Sequence, residues 1–353
     1  MGTQPTNAAR LGAALGFLAL LSCHSAVRQS AEATASGDPV IYITNEESNE
    51  ITLIDGRTDT AIANIFVGKR PRGLKVSRDG KSLFVALSGS PMSPPGTDES
   101  KLPPPDRAAD GIAIVDLASR QVARTLFTGD DPESFDITPD GRLMFVSNED
   151  AGTATVVALP SGQVKAVINV GGEPEGVRAR PDGKVVYVTS EADNEVAAID
   201  VATQKVLAKI ETGARPRGIA FTPDGARAYV TAEQGAAITV IDSSRHTALV
   251  QIPIELSGAK PMGIAISADG RWAYVSCGRG GAIAVIDLSS NRVDRIFPNI
   301  GIRPWGIAVA SDQKKLYVAN GPSNDVAVVD VSSGAVLKRI PAGKSPWGVA
   351  IYP

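Results

Sequence analysis

Seven short loops carry most of the charge that chemistry at one site would draw on. GKSPWG (343–348), GKRPRG (68–73), GDDPES (129–134), GGEPEG (171–176), GARPRG (213–218), GAKPMG (258–263) and GIRPWG (301–306) share the form Gly-x-x-Pro-x-Gly, with Ser134 replacing one last glycine. The prolines and glycines repeat, whereas the residues flanking proline differ. They form a cationic group (Arg303, Lys344, Arg70, Arg72), an acidic group (Asp130, Asp131, Glu133, Glu173, Glu175) and a second cationic group (Arg215, Arg217, Lys260). Trp305 and Trp347, two of only three tryptophans, follow the proline in two consecutive copies. Gathered at one mouth, these side chains make a polarised pocket with an aromatic platform. The plainer alternative is a belt of salt bridges in which the groups neutralise one another, with little energy in each exposed pair. Four further acids, Glu46, Glu149, Glu191 and Glu233, offer oxygen ligands that suit a hard cation such as Ca²⁺. At one carboxylate per repeat they read as a solvated rim, and no metal or other cofactor is assigned. Only two histidines occur, His24 and His246, far apart in the chain, so neither a zinc site nor a Ser-His-Asp set can be assembled.

The elements that position these loops also repeat. An aromatic residue of a strand recurs at Tyr42, Phe84, Phe145, Tyr187, Tyr229, Tyr274 and Tyr317, with spacings of 42, 61, 42, 42, 45 and 43. The loop prolines Pro71, Pro132, Pro174, Pro216, Pro261, Pro304 and Pro346 keep the same phase. Within one repeat, PRGIAFT, ARAYVTA, AAITVID and HTALVQIPI read as four strands separated by turn residues. Four strands in roughly 40–45 residues are a propeller blade. The expected fold is therefore all-β: a seven-bladed β-propeller over 40–353, with four antiparallel strands per blade. The first repeat lacks its Pro-led strand and PWGVAIYP at the C-terminus has no blade after it, so the last strand should complete the first blade and remove an open edge. Asp55, Asp116, Asp200, Asp242, Asp287 and Asp330 follow the strand aromatics at a fixed offset, interrupted by Ala158. A residue needed in almost every blade is assigned to the turn there, as an acceptor for backbone N–H groups.

Residues 1–22 resemble a leader, with Arg10 before an apolar run too short to span a bilayer. Leu20-Leu21-Ser22-Cys23 has the form of a lipobox, which makes Cys23 the expected lipidation site; ordinary cleavage near Ala26 is the alternative. Residues 23–39 read as a flexible tether, so the chain is expected to be exported to the periplasm or cell envelope. The other cysteine, Cys277, is expected to be a half-buried thiol without a bridging partner. A net charge of −3 argues against a generally basic nucleic-acid binder. The stretch at about 90–108, SPMSPPGTDESKLPPPDRA, is inserted between two strands of the second blade; its prolines exclude regular structure, leaving a surface excursion or a lid.

The segments IYITNEESNEITLID, VYVTSEADNEVAAID and LYVANGPSNDVAVVD, each followed by a Gly-x-x-Pro loop, resemble the YVTN family of β-propeller repeats over about Val40–Pro353. The order RPRG, DDPESFDITPDG, EPEG, RPRG is similar to propellers encoded beside PQQ-dependent alcohol catabolism, which implies association with a quinoprotein pathway and not a PQQ site. Three function classes remain open. The favoured one is a non-enzymatic exported propeller, expected as a monomer, that binds a protein or small ligand on the loop face. The second is a lactonase-like hydrolase with a carboxylate-bound metal. The third is a single-stranded nucleic-acid binder using Arg70, Arg72, Arg215, Arg217 and Arg303 with Trp305 and Trp347 as stacking platforms; the intervening acids weigh against it. Membrane contact is expected only through lipid on Cys23.

Overall fold

The computed structural model describes residues 1–2, 37–92, 98 and 101–353. The chain divides into two units, Met1–Gly37 and Asp38–Pro353. Residues 3–22 of the leader, Cys23, His24 and most of the tether lie outside the described residues, and the account below concerns the second unit. Among the described residues no helix is long and apolar enough to cross a membrane.

Asp38–Pro353 folds into seven antiparallel sheets of four strands. In blade 5 these are Pro216–Phe221, Arg227–Ala232, Ala237–Asp242 and Thr247–Pro253, paired in chain order. Second strands such as Val185–Ser190 are buried along their whole length. Fourth strands such as Lys205–Glu211 alternate and face solvent. The buried residues fall into seven clusters, each joining two neighbouring blades; Tyr187, for example, packs with Ile219 and Val230 of the next blade. The core is thus a set of apolar layers between sheets, which is why the inner strands are apolar on both faces.

Closure is as expected from the chain ends. Pro346–Tyr352 pairs antiparallel with Val40–Asn45, setting Val40 opposite Tyr352 and Tyr42 opposite Ala350. The repeated aspartates hold turns: Asp200 Oδ1 accepts the Thr203 N–H at 2.7 Å, and Asp55 Oδ1 accepts those of Arg57 and Thr58 at 2.9 Å each. Asp116, Asp242, Asp287 and Asp330 do the same. Where Ala158 interrupts the series, the Ser161 hydroxyl donates to the Ala158 carbonyl instead. Cys277 differs from expectation. It ends the strand Trp272–Cys277 beneath the blade 5–6 layer, is fully buried, and burial pushes its thiol up to about 12.

Candidate functional site

The Gly-x-x-Pro-x-Gly loop converts a repeated backbone into a variable surface. In blades 1 and 3 to 7 the pairing of the first and second strands slips just after proline; in blade 5 Pro216 faces Ala232, but Ile219 faces Val230. The slip is a β-bulge, a device that re-aims a side chain at a sheet edge. The residue it displaces is the variable one after proline. The residue before proline is in the left-handed region in all seven copies: Arg70, Asp131, Glu173, Arg215, Lys260, Arg303 and Ser345 have φ between 42° and 58°. Such backbone costs about 1–3 kcal/mol per residue and persists only where neighbours impose it. Here the neighbours are visible: Asn194 Oδ1 accepts the Arg215 N–H at 2.8 Å, and Asn324 and Asn49 hold Ser345 and Arg70 in the same way.

Hydroxyl groups that the sequence reading left unassigned fasten the bulges to one another. Thr231 Oγ1 accepts the Gly218 N–H of its own blade at 2.8 Å and donates to the Met262 carbonyl of the next at 2.7 Å. Thr44, Ser147, Thr189 and Ser276 repeat this toward Arg72, Glu175, Arg217 and Trp305. Their signal was the hydroxyl two residues after the strand aromatic, present in five of seven copies. The bulge glycine is required at this approach, since a Cβ on Gly218 would lie 2.6 Å from the Met262 carbonyl oxygen.

Together the loops enclose a basin of about 1730 Å³. All seven residues before proline line it, as do Arg72, Glu175, Arg217, Met262, Trp305 and Trp347 after proline. Glu133, the seventh, is wholly buried beside Arg72. Of the residues singled out from sequence, Asp130 and Lys344 are left off the wall along with the buried Glu133, and Lys344 is exposed at its loop. Glu46, Glu149, Glu191 and Glu233 complete the wall, so the two loop sets do meet. Met92 and Leu102–Pro105 also line it. The described part of the insertion runs over the surface, as expected, and reaches the basin: Lys69 pairs with Asp106 at 2.5 Å, and Arg107 pairs with Asp110 at 3.2 Å and with Asp150.

Charge inside the basin is sorted by blade. On blades 4 and 5, Arg217 contacts Glu175 and Glu191 at 2.5 Å each and Glu233 at 3.1 Å, while Arg215 contacts Glu191 at 2.6 Å. Burial and the adjacent Glu175 push the Glu191 carboxyl up to about 9, against the pull of Arg217. Glu175 is moved the other way; its own burial is outweighed by Arg217 and Arg72. On blades 1 to 3, Glu46 contacts Arg72 at 2.9 Å and Arg70 at 3.0 Å, and Arg72 also lies against Glu133. Glu149, 3.9 Å from Arg72, is raised to about 7 by burial, with Arg72 opposing and Glu175 and Asp131 reinforcing the shift. The salt-bridge belt expected as the plainer alternative is present, but it spans only part of the ring. Among the described residues, Lys260, Arg279 and Arg303 form no ion pair. Arg303 instead stacks over Trp305 at 5.0 Å, and the half-buried Trp305 has an indole N–H without an acceptor. Arg279 was missed from sequence; its cue is a cation in a loop whose counterparts in four other blades carry glutamate.

The assignment of structural carboxylates also extends below the basin, where buried Asp136 on blade 3 contacts Lys75 and accepts the Ala179 N–H at 2.9 Å.

Two family profiles meet on this chain. The lactonase, seven-bladed β-propeller profile matches residues 38–178, and the YNCE-like β-propeller profile matches 180–352, each less than half of the 353 residues. The chain is accordingly a β-propeller, and its sheets make it a seven-bladed one. Antigen Lp49 of Leptospira interrogans is 26% identical over a stretch that covers 31% of each chain, so the match spans about a third of that relative. Among solved structures, Kuenenia stuttgartiensis hydrazine synthase superposes with a TM-score of 0.70 at 20% identity, over 83% of this chain and 92% of that one. The periplasmic gluconolactonase PpgL of Pseudomonas aeruginosa superposes with a TM-score of 0.68 at 19% identity, over 89% and 99%. At these identities the likeness is one of fold.

Proposed function

We propose that the protein is a hydrolase of the lactonase kind, which opens an anionic lactone in the basin using the Glu175 and Glu191 carboxyl groups. One observation carries the reading: a buried carboxyl pair sharing Arg217 faces the same basin as three cations without ion pairs and two indoles. A sugar-acid lactone matches both parts. Its ester carbonyl suits the carboxyl pair, its acidic group suits Lys260, Arg279 and Arg303, and its ring suits Trp305 and Trp347. Glu175, ionised, accepts a proton from water as the water oxygen bonds to the carbonyl carbon. Arg217 stabilises the oxyanion that develops there. The ring C–O bond then breaks, and the leaving oxygen takes the proton held by Glu191. The product is one open hydroxy acid; Glu175 then releases its proton to solvent and Glu191 takes one up, which restores both groups. The profile match over 38–178 and the resemblance to a gluconolactonase fold support the class. So does the resemblance to propellers of quinoprotein pathways, because oxidation of a cyclic hemiacetal yields a lactone.

The test is titration of acid released from δ-gluconolactone and 6-phosphogluconolactone by the purified chain. Turnover above the spontaneous rate is expected, falling by about 10²–10⁴-fold in Glu175→Gln. Binding of gluconate without turnover of any lactone would return the molecule to the non-enzymatic binding class. The four arginines of the two RPRG loops are engaged by carboxylates, which counts against the nucleic-acid reading.

A further inference from the structure

We propose that Asp131, Glu133 and Glu149 form a binding site for one hard divalent cation of the Ca²⁺ kind on the acid-rich side of the basin. Each residue offers a carboxylate oxygen, and these atoms all lie within 4.8 Å of one another. Two ligands on opposite sides of Ca²⁺ stand about 4.6–5.2 Å apart, twice the usual metal–oxygen distance, so all three can reach one ion.

Acidic residues in a group would not carry this alone. The second observation is that two of the buried oxygens lack partners. Asp131 is 4% exposed and Glu133 0%, yet Asp131 Oδ1 and Glu133 Oε2 have neither a hydrogen bond nor an ion pair, whereas Glu133 Oε1 is paired with Arg72. Buried carboxylate oxygens are otherwise hydrogen-bonded, because leaving them dry and unpaired is costly.

The backbone is built to converge these groups. Asp131 precedes Pro132 in the left-handed region with φ 56°, and Glu133 follows it on the bulge. The Glu149 N–H donates to the Asp131 carbonyl at 2.9 Å, tying the third ligand's loop to the first. Charge points the same way. Glu46, Asp131, Glu133 and Glu149 face Arg70 and Arg72, four potential negative charges against two positive, and the difference equals the charge of one divalent ion. All the donors are carboxylate oxygens, which selects a hard ion over zinc or copper.

This site shares no ligand with the neighbouring Glu175–Glu191 pair, although Glu175 acts on Glu149 through its charge, and the inference holds whether or not the protein hydrolyses lactones. The experiment is calorimetric titration of the EDTA-treated full chain with Ca²⁺, paired with thermal melting. One equivalent should bind, with a rise in Tm that grows with Ca²⁺ concentration. Asp131→Asn and Glu149→Gln should each weaken Ca²⁺ binding at least about tenfold by removing a charged ligand. Glu233→Gln, in the other network, should leave Ca²⁺ affinity unchanged. Absence of heat and of any Tm change with Ca²⁺, Mg²⁺ and Mn²⁺ would overturn the proposal, as would wild-type affinity in both ligand variants. Should Asp131→Asn fail to fold, Glu149→Gln still decides, since that side chain is 27% exposed at the rim. Lactone turnover is measured separately, so a metal-free but active protein would remove this inference and spare the hydrolase reading.

Discussion

On blades 4 and 5, Glu175, Glu191 and Glu233 surround Arg215 and Arg217; on blades 1 to 3, Glu46, Asp131, Glu133 and Glu149 surround Arg70 and Arg72. Both networks grow from the same RPRG loop, so the cations are alike and the acids make the difference. The first has one acid in excess, and burial together with Glu175 favours the protonated form of Glu191, which offsets that excess. The second has two in excess once Glu149, raised to about 7, is ionised. Its distinguishing neighbour is the end of the insertion: Asp110, two residues beyond it and held by Arg107 within it, accepts the Asp131 N–H at 3.2 Å. The counterpart of Asp131 on blade 4, Glu173, is exposed to solvent. The same kind of residue at the same repeat position is therefore solvated in one network and buried in the other, and burial decides whether its charge needs a partner.

The largest effect should come from removing the shared cation of the first network. Arg217→Ala leaves three carboxyl groups around an empty centre and should cost about 3–5 kcal/mol at pH 8 in urea denaturation. The loss should shrink at pH 5, where those groups take up protons more readily. Equal losses at both pH values would show that Arg217 acts through packing and not charge.

A smaller effect isolates the shared proton. The folded-state value for Glu191 lies above its ordinary value, so the folded chain holds a proton that the unfolded chain has released between about 4.5 and about 9. Its contribution to stability is present at low pH and is lost as pH rises through that window. Glu175 has the opposite shift, and its contribution is lost on the acid side. Glu191→Gln keeps the shape and removes the titration. The variant should show a flatter Tm between pH 5 and 9, with a gain over wild type of about 1–2 kcal/mol at pH 9. Parallel curves for the two proteins would break the distinction between a proton-balanced and a cation-balanced network.

The smallest effect belongs to a carboxylate outside both networks. Asp200→Ala should cost about 1 kcal/mol from lost turn hydrogen bonds and leave lactone turnover unchanged. Lost turnover at unchanged stability would move Asp200 from scaffold to site.

The blades, their number and their closure were legible because each depends on residues that must recur: proline and glycine at a bulge, aspartate in a turn, an aromatic in a layer. The members of the basin wall were legible for the complementary reason, as the residues that vary inside a fixed frame. Their pairing was not. Arg72 meets Glu46, 26 residues earlier, and Glu133 on the following blade, and nothing in either loop states which side of the bulge a side chain takes. Lys344 shows the same limit, since its loop position matches that of lining neighbours only one residue away. Cys277 looked half-buried because it ends a strand, but the next blade covers that end. The insertion reads as proline-rich and shapeless, while its anchoring depends on ion pairs made by Lys69, Asp106 and Arg107.

The bulge carbonyls held by hydroxyls of the preceding blade have a consequence for inheritance. At Met262 and Trp305 the position is fixed by backbone atoms, through Thr231 and Ser276, and neither side chain takes part in an ion pair that the fold depends on. A single codon change there rewrites what the basin recognises while the ring of blades stays closed. Selection can thus exchange one ligand preference for another by small steps, each tolerated by the fold before it is useful.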